Sequence, residues 1–435
     1  MTEFLAGDPL LAAKFAVPVQ APGLVRRQRL MNRITRGTQG PLTLITGAAG
    51  VGKTSLAASW ARSRAATAPV VWLTPDEDDT PGLFWAYVVE GLRRGGVLAD
   101  AALGKPVCAD DVDRSLLVRL AAACERLPGP VVLVLDGLDK VRGKGVYPGL
   151  RFFAEHAGPA LRLVVISRED PALPLHRYRA EGRVHEIREQ DLAFTRREAA
   201  LLLQGRGRPP DDHVVDLLLE HTEGWAAGLR LCALAMARSE DPAGFTHSFT
   251  ASEQAVSDYL LTEVLATQPA PFRDLLLRTG ILRRVHPELA AVLTGRTDAE
   301  RILQDLVRSH AFVEPLDGTR WYRFHPLFAE VLRAHLRSRQ PELEPLLHRR
   351  AARWYAARGL TAEAVDEAAA GGDWRYAAGQ AVQHLMVGPL LAGSGASRSA
   401  ETLSRMPGAL YLIHTRRCRR SYAATSSSEF TAFRH

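Results

Sequence analysis

The chain has 435 residues, with 55 Lys and Arg against 48 Asp and Glu for a formal net charge of +7, and is 46% hydrophobic and 24% charged. That composition is globular, excludes a disordered tail protein or a disulfide-framed miniprotein, and at roughly 150 residues per domain predicts about three domains. The lysines are confined to Lys14, Lys53, Lys105, Lys140 and Lys144, so arginine carries nearly all of the basic charge.

Residues 1–24 carry Glu3 and Asp8 and lack a basic segment followed by an apolar block, so they read as an N-terminal extension and not as a signal peptide. Residues 41–46 (PLTLIT) are a short apolar run that breaks into GAAGVGKT, and LAASWARSRAA then has helical spacing and alanine-rich propensity. The pattern is strand, glycine loop, helix. A second apolar run, VVWLT, ends in the acidic PDEDD. Thr80 and Pro81 then fit the N-cap and first turn of a helix through FWAYVVEGLRR, and Asp76, Glu77, Asp78 and Asp79 read as charge favouring that N-terminus. The runs VVLVLD (131–136) and LRLVVISR (161–168) complete four apolar strands without polar alternation. Separated by helical stretches, they predict a parallel sheet buried on both faces over 25–188.

After about residue 190 strands give way to helix signals. Thr195 with Glu198 forms a capping box, as does Thr297 with Glu300, and GRGRPPDD (205–212) is a loop. A helical lid is expected over 189–250. Residues 251–340 hold short helices and a hairpin candidate, AFVEPLDGTRWYRF, turning at Asp317-Gly318, which together suggest a winged helix. Helix hairpins over 341–410 read as the start of a helical, tetratricopeptide-like repeat region. Residues 411–435 fit none of these patterns and read as an atypical, disordered tail.

Gly47-Ala48-Ala49-Gly50-Val51-Gly52-Lys53-Thr54, followed by Ser55, matches the phosphate-loop pattern GxxxxGK[ST]. Glycines let the backbone curl so that its amides face a phosphate, and the helix N-terminus adds its positive end. Lys53 is the expected bridge between β- and γ-phosphates, and Thr54 a Mg²⁺ ligand. The loop needs a metal-side carboxylate at the end of a neighbouring strand, where VVLVLD places Asp136. Asp139 either orients the attacking water or is a solvated turn aspartate. Arg168, ending the fourth strand, is either a γ-phosphate sensor or half of a surface ion pair, since ligands bind at the carboxyl ends of parallel strands. The implied cofactors are ATP or ADP with Mg²⁺.

Cys108, Cys124, Cys232 and Cys418 are too widely spaced for a zinc site or a CxxC pair, and no apolar run approaches the roughly 18 residues of a membrane span. A cytoplasmic protein with no membrane partner is expected. The basic balance raises nucleic acid as a partner, but Arg416, Arg417, Arg419, Arg420 and Arg434 against Glu429 supply +4 of the +7 within residues 415–435. Little of the charge belongs to the patterned chain.

Taken in order, KFAVPVQAPGLVRRQRL, LITGAAGVGKTSLAASW, VVWLTPDEDD, FWAYVVEGLR, VVLVLDGLD, LVVISREDPALPLHRYRAEGRVHEI, DLAFTRREA, TEGWAAGLRL, DYLLTEVL and YRFHPLF resemble the large ATP-dependent LuxR-type transcriptional activators typified by the maltose regulon activator. These are signal-transduction ATPases with numerous domains, and the resemblance covers residues 14–385. It implies an α/β P-loop NTPase core followed by an all-α helical lid, a winged helix and the start of a repeat region. It further implies that Leu24, Val25, Arg26 and Arg27 lie near the adenine and ribose, that Arg168 is the sensor arginine, and that Gly224-Trp225-Ala226 is the lid element, with Ala226 in place of a proline. His325 resembles the winged-helix histidine that approaches the β-phosphate of ADP; the alternative is a core histidine beside Phe324 and Phe328. Relatives often carry paired aspartates after the third strand, whereas Gly137 follows Asp136 here and the second carboxylate is Asp139, closer to the animal immune-receptor branch.

Family members continue into a long repeat domain and end in a helix-turn-helix. This chain is expected to lack the latter, and so to meet DNA only through a domain it does not carry. The resemblance implies a signalling switch that binds adenine nucleotide, hydrolyses ATP slowly and self-associates under nucleotide control. The alternatives are a truncated fragment that does not signal and a P-loop phosphotransferase.

Overall fold

The computed structural model describes residues 10–20, 23–63, 66, 68–98, 113–141, 145–204, 211–236, 254–316 and 318–383, with 402 and 405. The repeat region expected beyond residue 383 lies otherwise outside the described residues, as does the tail over 411–435. The chain divides into two compact units, Met1–Val256 with Arg308–Phe312, and Ser257–Val307 with Val313–His435.

In the first unit, α1 (Gln28–Gly37) leads into β1 (Leu42–Thr46) and α2 (Lys53–Ala61), followed by β2 (Val70–Leu73), α3 (Pro81–Arg94), α4 (Arg114–Glu125), β3 (Val131–Asp136), α5 (Val146–His156), β4 (Leu161–Ser167), α6 (Leu175–Ala180) and β5 (Val184–Ile187). The five strands form one parallel sheet in the order β2-β3-β4-β1-β5. β4 therefore separates β1 from β3. The register Thr46↔Ser167 and Asp136↔Ile166 aligns the carboxyl ends of these three strands on one edge, where ligands of open parallel sheets bind.

The sequence predicts four strands, and β5 is the fifth. Among the described residues it pairs only with β1 and is largely half-buried, and with His185 and Glu186 at its centre V-H-E-I lacks the continuous apolar run that marked the others. On one sheet face Leu44, Leu133 and Leu163 pack with Phe84, Leu120 and Phe153, and on the other Ile45, Val134 and Ile166 are equally buried. Trp85 is fully buried, edge-on to both Phe84 and Phe153 at 5.5 Å between ring centroids. Trp85→Ala is expected to cost about 3–5 kcal/mol, the transfer and cavity terms of a deleted core aromatic, read as a lower urea midpoint at unchanged slope.

Residues 10–20 lie along this unit. The Lys14 carbonyl accepts from the Thr74 amide at 2.9 Å, just past β2, and its ammonium contacts Asp79 Oδ1 at 2.6 Å and Asp76 Oδ2 at 2.7 Å. Burial opposes the Lys14 charge, but the two carboxylates outweigh it and hold the pKa above its usual value. Part of the acidic run after β2 is thus the counter-charge of a buried lysine as well as an approach to α3.

The helical stretch that follows comprises α7 (Glu189–Leu192), α8 (Arg196–Gln204), α9 (Asp212–Thr222) and α10 (Ala226–Met236). The Thr195–Glu198 box is formed reciprocally, with Glu198 accepting from the Thr195 amide at 3.1 Å and Thr195 Oγ1 from the Glu198 amide at 3.3 Å.

The second unit contains a π-helical turn (Leu260–Leu265), α11 (Ala270–Thr279), α12 (Pro287–Thr294) and α13 (Ala299–Arg308), whose last residue returns to the first unit. An antiparallel hairpin follows, β6 (Val313–Pro315) and β7 (Tyr322–Phe324), with Val285 joined to Tyr322 by an isolated antiparallel bridge. Gly318 turns with φ +70°, while Asp317 lies outside the described residues. α14 (Pro326–Arg339), α15 (Leu343–Ala356), α16 (Thr361–Ala370) and α17 (Trp374–Gln383) complete it, the last three joined through Ala352, Val365, Ala368, Ala377 and Ala381. Among the described residues no helix is long and apolar enough to cross a membrane.

Candidate functional site

Between β1 and α2 the chain turns through Gly47 (φ +155°), Gly50 (φ +74°) and Gly52 (φ +90°). L side chains rarely adopt this region. A Cβ on Gly47 would also sit 3.2 Å from Glu189 Cβ and 3.3 Å from Val51 Cγ2. Ala48 and Val51 are buried as the loop's packing side, and α2 begins at Lys53 with the free amides of its first turn facing the loop.

Lys53 Nζ donates to the carbonyls of Gly47 at 2.6 Å and Ala48 at 2.8 Å. Burial pulls its pKa down to about 8; Asp139, Glu189 and Asp136 oppose the fall, and the Arg168 charge adds to it. Lys53, Asp136, Asp139 and Arg168 therefore form one electrostatic cluster at the strand ends. Glu189 also belongs to it, and no sequence motif marked that residue.

Thr54 Oγ1 donates to Asp136 Oδ1 at 2.8 Å. Asp136 is buried, and that burial raises its carboxyl pKa against the Thr54 hydrogen bond and the attraction of Lys140 and Lys53. A hydroxyl beside a buried carboxylate is a hard-oxygen set suited to Mg²⁺, which is commonly held by one or two protein oxygens together with phosphate. Among the described residues no three His, Cys, Asp or Glu side chains are grouped so as to hold a metal ion. Asp139, in the short turn after β3, accepts the Arg168 amide on Oδ1 at 2.9 Å, which ties the ends of β3 and β4 together.

Beside the loop lies a cleft of about 340 Å³. Its lining includes Gly50, Gly52, Lys53, Thr54 and Ser55 from the loop and α2, together with Leu24, Val25, Arg27, Phe194, Leu202, Ala226, Ala227 and Arg230. Its size and largely apolar wall with a few cations suit a flat heteroaromatic base with a sugar. Of the residues expected at the base, Val25 lines the cleft whereas Arg26 is exposed and the neighbouring Arg27 is buried. The Arg27 guanidinium stacks on Phe194 at 4.3 Å and bonds to Glu198 Oε2 at 3.1 Å and the Ala193 carbonyl at 2.8 Å. Arg29 Nε meets the same carboxylate on Oε1 at 3.0 Å. Glu198 thus serves both as the acid of a capping box and as the anchor for two arginines. Arg27 Nη1 is buried without a partner among the described residues, an unsatisfied donor beside the cleft. His325 lies in the second unit, immediately before Pro326 at the start of α14.

Residues 26–166 match the AAA ATPase domain family and residues 261–344 the MalT winged helix domain family. The chain is 30% identical over 371 residues to the HTH-type transcriptional regulator MalT of Cronobacter sakazakii, covering 84% of this chain and 41% of that protein. It is 31% identical over 373 residues to the serine/threonine-protein kinase PknK of Mycobacterium tuberculosis, covering 84% of this chain and 33% of the kinase. The chain therefore spans less than half the length of either relative. A Walker-type ATPase of Pyrococcus abyssi shares the fold at a TM-score of 0.52 and 16% identity, over 73% of this chain and 99% of that one. An AAA ATPase domain and a MalT winged helix domain are thus joined in one chain, a MalT-like P-loop NTPase arrangement that aligns with MalT over 84% of this chain.

Proposed function

We propose that the chain is an adenine-nucleotide switch, in which Mg²⁺-dependent binding and slow hydrolysis of ATP set its conformation and self-association. The observation that carries this reading is the Thr54–Asp136 hydrogen bond beside Lys53, opening into a cleft walled by Val25 and Phe194. The relatives narrow it further. One is described as a transcriptional regulator and another as a protein kinase, and each aligns with 84% of this chain. Two relatives of such different description support a function shared by the aligned region, and the phosphate loop within it favours nucleotide-dependent switching.

When bound, Mg²⁺ would neutralise phosphate charge, and Thr54 and Asp136 are the residues that would hold it. The loop amides and Lys53 bind phosphate, Val25 and Phe194 enclose the base, and Arg27 lines the same wall, held there by Glu198. Asp139 has one oxygen committed to the Arg168 amide, so a base poised to activate water is weakly provided. ATP turnover is accordingly expected on the order of one per minute or slower, as in P-loop switches lacking an activating partner.

The test is a titration with fluorescent ADP and ATP in the presence of Mg²⁺, with sedimentation of each complex. Saturable binding and a nucleotide-dependent change in association are expected. Rapid phosphate transfer to a small acceptor would point instead to a phosphotransferase. The pH dependence is a further check. Phosphate attraction needs the Lys53 ammonium, and its pKa of about 8 means that the free protein loses this charge above that pH. ADP affinity should hold between pH 7 and 8 and then fall by up to about tenfold per unit, with a flatter profile in Lys53→Arg.

A further inference from the structure

We propose that Trp225 is a positioning residue that shapes the phosphate-binding amides of the glycine loop from outside it, so that attachment of α10 to the loop and affinity for the nucleotide's β-phosphate are one equilibrium. The inference rests on the nucleotide reading above and deepens it.

Trp225 is 4% exposed, and its indole Nε1 donates to the Ala49 carbonyl at 2.9 Å. Two residues on, the Ala227 amide donates to the Gly50 carbonyl, also at 2.9 Å. Ala227 lies in the first turn of α10, where backbone amides have no acceptor within the helix; the glycine loop supplies one. A trans peptide is planar, with its C=O and N–H pointing in opposite directions. The Ala49 carbonyl shares its plane with the Gly50 amide, and the Gly50 carbonyl shares its plane with the Val51 amide. Two donors outside the loop that hold those carbonyls thereby aim the Gly50 and Val51 amides the other way, toward the side where phosphate is bound.

The indole is fixed for this task. Gly228 lies against it so closely that a Cβ there would fall 2.4 Å from the Trp225 ring, and Phe312 meets it edge-to-face at 5.2 Å between centroids. Phe312 holds a left-handed backbone, φ +59°, which is costly for a bulky side chain and persists only where its surroundings impose it. By linkage, whatever draws α10 from the loop releases the carbonyls and weakens phosphate binding, and bound phosphate strengthens the attachment by the same factor.

The experiment compares ADP and AMP binding in wild type, Trp225→Phe and Ala227→Pro. Phe keeps a ring against Gly228 and Phe312 but has no N–H. Pro removes the second donor from a first-turn position, where helices tolerate it. ADP affinity is expected to fall roughly tenfold in each variant, while AMP, which has no β-phosphate for the loop, binds within about twofold of wild type and the nucleotide-free melting temperature stays within about 4 °C. Equal losses for ADP and AMP would show a merely structural role and overturn the proposal, as would unchanged ADP affinity in both variants. Absence of saturable ADP binding in wild type would overturn the nucleotide reading itself and this inference with it.

Discussion

Lys53→Ala is expected to weaken Mg²⁺-ADP binding at least about thirtyfold, because truncating one partner of a desolvated charge pair costs roughly 2–5 kcal/mol and 1.4 kcal/mol is tenfold. The same change should not destabilise the protein at pH 7. Burial lowers the Lys53 pKa from 10.5 to about 8, so the folded state holds this proton less tightly than the unfolded chain does. Below pH 8 both states carry the charge and the folded one bears the whole desolvation cost; stability recovers as pH rises from about 8 toward 10.5. Alanine removes the ammonium and that cost together, at the loss of two hydrogen bonds to Gly47 and Ala48. Isothermal titration and thermal unfolding on the same preparation separate the two quantities. A variant that still binds Mg²⁺-ADP within tenfold of wild type would remove Lys53 from the site.

The division between what the sequence shows and what only the structure shows is physical. β1, β3 and β4 are buried on both faces and so appear as unbroken apolar runs, and the glycine loop is legible because its backbone tolerates few other residues. With those placed, Asp136 follows as a residue at a strand's carboxyl end. β5 is not legible because its four residues are mostly half-buried and two of them, His185 and Glu186, are polar, so no apolar run marks it. At the base-side wall the resemblance points to a short segment, but Arg26 and Arg27 differ by one position and only packing against Phe194 and Glu198 decides which is inside. The least legible contacts are those distant in sequence. Trp225 and Ala49 are 176 positions apart, and Lys14 and Asp79 are 65 apart; neither pair leaves a periodicity or a local motif. Such contacts are settled by tertiary packing, which a pattern of short range does not record.

Asp136→Asn is the sharpest test of how the site divides its work. Asparagine keeps an oxygen to accept the Thr54 hydroxyl, so the 2.8 Å bond between the end of β3 and the start of α2 can persist while the charge is lost. If the carboxylate serves the cation, ADP binding in EDTA should be unchanged, the gain in affinity on adding Mg²⁺ should vanish, and ATP turnover should drop about a hundredfold or more, the scale on which preorganised electrostatic groups act. Stability should move in the opposite direction. Burial raises the Asp136 pKa above its usual value, so in the folded state ionisation is disfavoured relative to the unfolded chain. The resulting loss of stability develops as pH rises from the unfolded value through the folded one. The substituted amide carries no such charge, and without Mg²⁺ the variant should melt at or above the wild-type temperature. A variant that melts lower, with turnover intact, would show that Asp136 is a strand-end cap held by Thr54 and not a metal-side carboxylate. The expected pairing of lost turnover with undiminished stability is the signature of a buried charge retained for its ligand, at the expense of the fold that surrounds it.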